Sequence, residues 1–294
     1  SGRVRMGMEL IVRFDYGSIV PWAHRSGDTL LLTAGPDTLE LTASVAVRGE
    51  NMKSVAEFCV VAGQRETFVL NYRPSHARAE APADAEQALS ESEGRWHEWS
   101  ARCTYRGRWH GAVMRSLITL KALTYEPTGG LIAAPTTSLP EQPGGVRNWD
   151  YRYCWLRDAT FTLYALITCG YTEEAESWRN WLLRAVAGDP STLQIMYGPG
   201  GERRLPELEL PWLPGFGGAR PVRIGNAASG QRQLDVYGEV MDALHLARRT
   251  GLDPDPDTWR LQTSLRGFLE TAWTTPDEGS WGVLGPARRF RHWK

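Results

Sequence analysis

"NWDYRYCWLRDATFTLYALITCG", residues 148–170, changes character halfway along. Its first twelve residues hold Trp149, Trp155, Tyr151, Tyr153, Asp150, Asp158, Arg152 and Arg157. A packed core does not need so many charges, and a solvated loop does not need so many aromatics. From Asp158 to Cys169 the chain is apolar all round, which predicts a helix buried on every side. Gly170 can end that helix, because glycine adopts the left-handed conformation found at helix C-termini. A polar and aromatic cluster therefore stands at the N-terminus of a core helix, where free backbone N–H groups favour polar ligand atoms.

Toward the N-terminus the period is 2. "MELIVRFDY" (8–16) alternates, apart from Ile11, and predicts a half-buried strand. "TLELTASVAV" (38–47) puts Leu39, Leu41, Val45 and Val47 on one face. "VAEFCVVAG" and "ETFVLNYR" follow, separated by a turn near Gly63. Residues 1 to about 75 thus predict an antiparallel β-sandwich. Residues 74–94 are rich in Ala, Glu, Pro and Ser; they read as a linker that can become a polar helix from Asp84.

Beyond the linker the period becomes 3.6. Val113, Leu117, Leu120 and Thr124 share a face of a helix near 109–125. Thr172 is expected to cap the helix after Gly170, with Glu173 and Glu174 in its first turn and Ala175, Trp178, Leu182 and Ala185 inside. Val236, Val240 and Leu244 mark a helix near 234–250. Asp255 and Pro256 open another, lined by Leu261, Leu265, Phe268 and Ala272. An all-apolar helix among one-sided helices suggests two concentric layers, an α/α toroid. The expected fold class is multidomain, β followed by α. Its β-domain covers 1–78, a linker and connecting helix 79–101, and the first part of the helical domain 102–294.

With 33 basic and 34 acidic residues the net charge is −1, so no basic footprint for nucleic acid exists. No apolar run approaches the roughly 20 residues that span a bilayer. The cysteines, Cys59, Cys103, Cys154 and Cys169, form no CxxC pair and have no histidine at metal-ligand spacing, so neither a metal nor a cofactor is expected. A reduced, cytoplasmic setting is expected. "SGRVRMGMEL" has no initiator Met and no apolar signal core, and sequence is expected to be missing at one or both ends.

Arg157 offers a rigid fork of donors and Asp158, ionised, only acceptors. Side by side they could hold vicinal hydroxyls while Trp and Tyr stack on the apolar face of a sugar ring. An ordinary ion pair among core aromatics remains the alternative. "GNAASGQRQLDVYGEV" (225–240) gathers Asn226, Gln231, Gln233 and Asp235 before a helix. Its Gly-x4-Gly spacing is not a phosphate loop, since Lys-Ser/Thr and a preceding strand are missing. Glu207 and Glu209, on a Pro-rich loop, read as solvated carboxylates more readily than as a catalytic pair.

"DYRYCWLRDA" (150–159) resembles the signature of glycoside hydrolase family 15, the glucoamylase and bacterial trehalase-like family. "MELIVRFDYGSIVPW", "SLITLKALTYEPTGGLIAAPTTSLPE" and "RIGNAASGQRQLDVYGEV" extend the likeness along nearly the whole chain. The resemblance implies a β-sandwich before an α/α toroid of the six-hairpin glycosidase type, and inverting hydrolysis of α-glucosidic bonds. Trehalose or a small α-glucoside is favoured over starch, and the expected partner is an α-glucoside such as trehalose or a malto-oligosaccharide. It implies that Arg157 and Asp158 hold glucose hydroxyls, that Tyr151 and Trp155 wall the sugar, and that Trp149 and Asp150 stand behind them. It also implies that Asn226 and Gln231 line the mouth; a helix-entry turn with cap residues is the equal alternative.

Inverting glycosidases need a general acid and a general base, roughly 6.5–9.5 Å apart. The family's acid is a Glu directly after a Trp, in a segment like "PDEGIWEV". This chain reads "PDEGSWGV" (276–283), so the acid's position after Trp281 is Gly282, and Glu278 matches the family's upstream Glu. The resemblance puts the base beyond Lys294. The chain by itself is therefore expected to be inactive or strongly impaired. A non-catalytic carbohydrate-binding relative is the alternative, and a structural helical protein with Trp only in its core is a third reading.

Overall fold

The computed structural model describes residues 2–249, 251–252 and 255–279. It divides into two compact units, Ser1–Glu98 and Trp99–Lys294.

Among the described residues the first unit contains seven strands: β1 (Arg3–Leu10), β2 (Trp22–Ser26), β3 (Thr29–Ala34), β4 (Asp37–Ala43), β5 (Arg48–Glu50), β6 (Lys53–Val61) and β7 (Phe68–Pro74). They form two antiparallel sheets, ordered β2-β3-β4-β7 and β1-β6-β5. Leu30 stands opposite Leu41, and Leu41 opposite Leu70, so one apolar row crosses three strands. On the other face of β4, Glu40 is buried and accepts from Arg73 Nε at 2.6 Å, which keeps its charge paired. Phe58 and Phe68 bring β6 and β7 together with ring centroids 5.7 Å apart.

The strand expected over 8–16 stops at Leu10. Asp15 and Tyr16 have positive φ (46° and 53°), and the chain turns there, with Phe14 bridged to Ile19. Alternation continued through residues whose backbone had already turned. The strand expected over 38–47 likewise ends at Ala43, after which Ser44 N–H donates to Thr67 O.

Helix α1 (Ala85–Ala101) starts where Asp84 Oδ1 accepts from Gln87 N at 2.8 Å, an N-terminal cap. The second unit adds α2 (His110–Ala122), α3 (Leu156–Thr168), α4 (Thr172–Ala185), α5 (Asp235–Arg249) and α6 (Pro256–Ala272). Short pairs brace its loops: β8 (Thr124–Tyr125) with β9 (Gly130–Leu131), β10 (Cys154–Trp155) with β11 (Met196–Tyr197), and β12 (Leu208–Glu209) with β13 (Arg223–Ile224). Thr124, expected as the last inward residue of α2, belongs to β8.

The main core joins α3, α4 and α5 through Leu156, Leu163, Trp178, Trp181, Leu182, Val236, Val240 and Leu244, with Leu265 from α6. Each such side chain contributes about 1.5–3 kcal/mol when fully buried. Thr160 Oγ1 donates within its helix to Leu156 O at 2.9 Å and lies 3.3 Å from Glu239 O. Thr160 and Glu239 sit about one turn into α3 and α5, so the first turns of these two helices are neighbours.

Two expectations fail on α3 and α4. Phe161 and Tyr164 are 65% and 58% exposed, so α3 is not buried on every side. Its buried residues instead follow a stripe, Leu156, Ala159, Thr160, Leu163, Leu166 and Ile167. The cap of α4 is Tyr171, with no side-chain bond, and Thr172 is already helical. Tyr171 is fixed instead by its ring, stacked 4.1 Å from Trp99, and by its hydroxyl, which donates to Trp99 O at 3.2 Å. Asp255 does cap α6, accepting from Asp257 N and Thr258 N.

Candidate functional site

Residues 148–155 enter α3 as extended chain. Ala133 N donates to Tyr153 O and Ala134 N to Tyr151 O, both at 2.9 Å, and Ser138 N donates to Trp149 O at 2.8 Å. β10 then pairs with β11, and Leu156 N donates to Ile195 O at 3.0 Å. The motif is thus tied on both sides before the helix begins.

Asp150 is the knot of this arrangement. It is 0% exposed. Its Oδ1 accepts from Arg152 Nε at 2.9 Å, and its Oδ2 from Arg152 Nη2 at 2.7 Å and from Gly225 N at 3.1 Å. Asn226 Nδ2 donates to Asp150 O at 3.1 Å, while Asn226 Oδ1 accepts from Ala228 N at 3.0 Å. Asp150 and Asn226 therefore spend these polar atoms inside the protein, joining the motif to the segment before α5. Gly225 has φ +75°, and a Cβ there would lie 1.8 Å from Pro206 O, so only glycine lets this close crossing form.

The remaining candidates face outward or lie near the surface. Tyr151 and Trp155 are half-buried, with ring centroids 5.7 Å apart at 44°. The Tyr151 hydroxyl reaches Glu141 Oε1 at 3.4 Å; burial, then the Glu141 charge, raises its pKa above the usual tyrosine value. Arg157 Nη2 stands 3.6 Å from Asp158 Oδ2 in the first turn of α3, and the Asp158 side chain is 47% exposed. The Asp158 carboxyl is nonetheless raised above the ordinary aspartate range: loss of solvation is the largest cause, and the Arg157 charge pulls the other way. Rings, a donor fork and an acceptor are therefore gathered at one helix start, the set needed to grip a polar ring with apolar faces.

Arg223, which the sequence did not single out, supports the cluster. Its guanidinium lies 4.7 Å from the Trp149 ring centroid and donates to Val146 O at 3.1 Å. Its Nε is 3.3 Å from Glu207 Oε1, and Nη2 is 3.6 Å from Glu209 Oε1. Glu207 also accepts from Ala227 N at 3.2 Å. Glu207 is thus a held ion-pair partner and not a solvated carboxylate; Glu209, more exposed, comes closer to the sequence expectation.

Gln231 Oε1 accepts from Gln233 Nε2 at 3.0 Å, so these two amides pair with each other. The segment before α5 is also clamped to the end of the described chain. Leu234 N donates to Asp277 Oδ2 at 2.7 Å, Arg232 N to Glu278 Oε2 at 2.8 Å, and Glu278 N to Arg232 O at 3.0 Å. Trp281 and Gly282, where the resemblance locates the general acid, lie outside the described residues. Among the described residues no group of three or more His, Cys, Asp and Glu could hold a metal ion. No helix among them is long and apolar enough to cross a membrane.

The family described as glycosyl hydrolases family 15 matches residues 107–291. A trehalase of Mycolicibacterium smegmatis is 37% identical over 307 residues, covering 99% of this chain and 45% of the relative. A trehalase of Mycobacterium tuberculosis is 35% identical, covering 99% and 44%. A trehalase of Thermoplasma acidophilum is 39% identical over 193 residues, covering 66% of this chain and 33% of its own length. The chain spans less than half the length of these relatives.

Proposed function

The chain belongs to glycosyl hydrolases family 15, and from that premise we propose that it is the saccharide-gripping portion of an inverting α-glucosidase acting on trehalose. The observation that carries this reading is the Tyr151–Trp155 ring pair beside Arg157 and Asp158 at the start of α3. Arg157 donates to a glucose hydroxyl, Asp158 accepts from its neighbour, and the rings cover the apolar face. Trp149 and Asp150 act from behind, through Arg223 and Arg152. Asn226 shapes the mouth through the backbone it holds, and Gln231 through its amide pair with Gln233.

The same reading takes residues 1–78 as a β-sandwich, 79–101 as a connector, and 102–294 as the first part of an α/α toroid. The exposed Phe161 and Tyr164 on α3 support an incomplete ring of helices. Gly282 lacks a carboxyl to protonate the leaving oxygen, and a missing general acid typically costs 10²–10⁴ in rate. The chain therefore binds α-glucosides, in the cytoplasm, without useful turnover.

Calorimetry with trehalose tests the grip. Asp158→Ala should weaken binding roughly 10- to 100-fold, the worth of a hydrogen bond to a charged acceptor. Unchanged affinity in that variant would refute the site. Because Asp158 must be ionised to accept only, binding should fall on acidification at a pH above the ordinary aspartate range. Asp158→Asn should show no such inflection. Glucose release from trehalose by this chain at a rate typical of family members would disprove the claim of impaired turnover. If this reading is wrong and the chain is only a structural helical protein, neither trehalose nor maltose will bind.

A further inference from the structure

Two cysteines distant in sequence meet in the smaller core cluster of the helical unit. Cys103 is fully buried there, and half-buried Cys169 packs against it. The backbones at this point touch: Thr104 N donates to Cys169 O at 2.9 Å. Gly170 has φ +94°, and a Cβ on it would come within 2.7 Å of Thr104 Cγ2. The bond joins Cys169 to Thr104, the residue after Cys103, and the Cys103 thiol lies within hydrogen-bonding reach of the Cys169 thiol. The other two thiols stand elsewhere, Cys154 in the main core and Cys59 on β6.

We propose that Cys103 and Cys169 form a reversible disulfide that locks the end of α1 to the turn between α3 and α4. The same joint is already held without a covalent bond, by the Trp99–Tyr171 stack and by Trp99 Nε1 donating to Glu174 Oε1 at 2.7 Å. Cys169, the more exposed thiol, is the point of entry. After losing its proton to solvent it attacks one sulfur of a small-molecule disulfide, and one thiolate leaves. The Cys103 thiolate, its proton also lost to solvent, then attacks Cys169 Sγ and expels the second thiolate. Two thiols are oxidised, and one small disulfide is reduced to two thiols. Burial first, then the Cys103 thiol, raises the Cys169 pKa, so the exchange is slow at neutral pH and faster as the pH rises.

The chain, incubated with oxidised glutathione to completion, is digested without reductant and mapped by mass spectrometry. A Cys103–Cys169 linked peptide, two remaining titratable thiols, and a Tm higher by roughly 5–10 °C are expected, from closing a loop of this length. Cys169→Ser should show neither link nor shift, and Cys103→Ser should hold glutathione on Cys169. Four thiols still titratable, or a link between another pair, would overturn the proposal. A link with unchanged Tm would overturn its locking role. The mapping on the unsubstituted chain decides the pairing even where a variant fails to fold.

Discussion

Asp150→Ala is expected to lower the stability of the helical unit by about 3 kcal/mol or more, because removing one member of a buried ion pair strands the other. Asp150 is wholly buried, and Arg152, about two-thirds buried, meets it through both Nε and Nη2. The substitution also takes the acceptor from Gly225 N, and an unmet buried donor costs about 1–3 kcal/mol by itself. Asp150→Asn keeps one carbonyl oxygen and should lose less. In urea the midpoint for the helical unit should fall with the slope unchanged, since the surface exposed on unfolding stays the same. An Asp150→Ala protein as stable as its parent would mean that the Asp150–Arg152–Gly225 knot does not form.

That knot also marks the boundary of what the sequence could say. The inner stripe of α4 was legible, because Ala175, Trp178, Leu182 and Ala185 recur at helical spacing against charged neighbours, and all four are buried. The cap of α6 was legible for an equally local reason, the Asp255–Pro256 pair. The exposed face of α3 was not, because Phe161 and Tyr164 are as apolar as the residues that are buried, and periodicity without contrast names no outer face. Within the motif, Asp150 and Asp158 look alike as letters. One is sealed behind Arg152 and the other stands beside Arg157, a difference made by Gly225 and Asn226 some 75 residues away. Arg223 escaped notice for the same reason: its partners Trp149, Glu207 and Glu209 come from two other segments. The gathering of rings and charges before α3 was legible as composition, but which charges are sealed inside and which face outward is decided by contacts across long loops.

Acid should unfold the helical unit partly through Glu174, and Glu174→Gln should remove that part. Glu174 is 4% exposed. Its Oε1 accepts from Trp99 Nε1 at 2.7 Å, and Lys121 Nζ lies 3.0 Å away, with Arg102 Nη2 at 3.7 Å. Burial is the largest influence on this carboxyl and would raise its pKa; the Trp99 and Lys121 hydrogen bonds and the Lys121 charge together outweigh it and hold the group below the usual glutamate value. A carboxylate whose pKa is depressed by folding stabilises the protein above its unfolded value of about 4.3. That stabilisation is lost as the pH falls through the folded value, because the unfolded chain binds the proton first. Gln keeps an acceptor for the Trp99 indole and has no proton to take up, so its contribution is flat in pH. The parent should therefore be more stable than Glu174→Gln by about 2 kcal/mol at pH 7, and the gap should close below about pH 4. Glu174→Ala, which leaves Lys121 and the indole N–H without their acceptor, should cost about 3–5 kcal/mol at pH 7. Urea titrations of parent and Gln variant at stepped pH values measure the difference directly, and other titrating carboxylates cancel between the two curves. A gap that stays constant from pH 7 to pH 3 would show that Glu174 is not held ionised at the joint between α1 and α4.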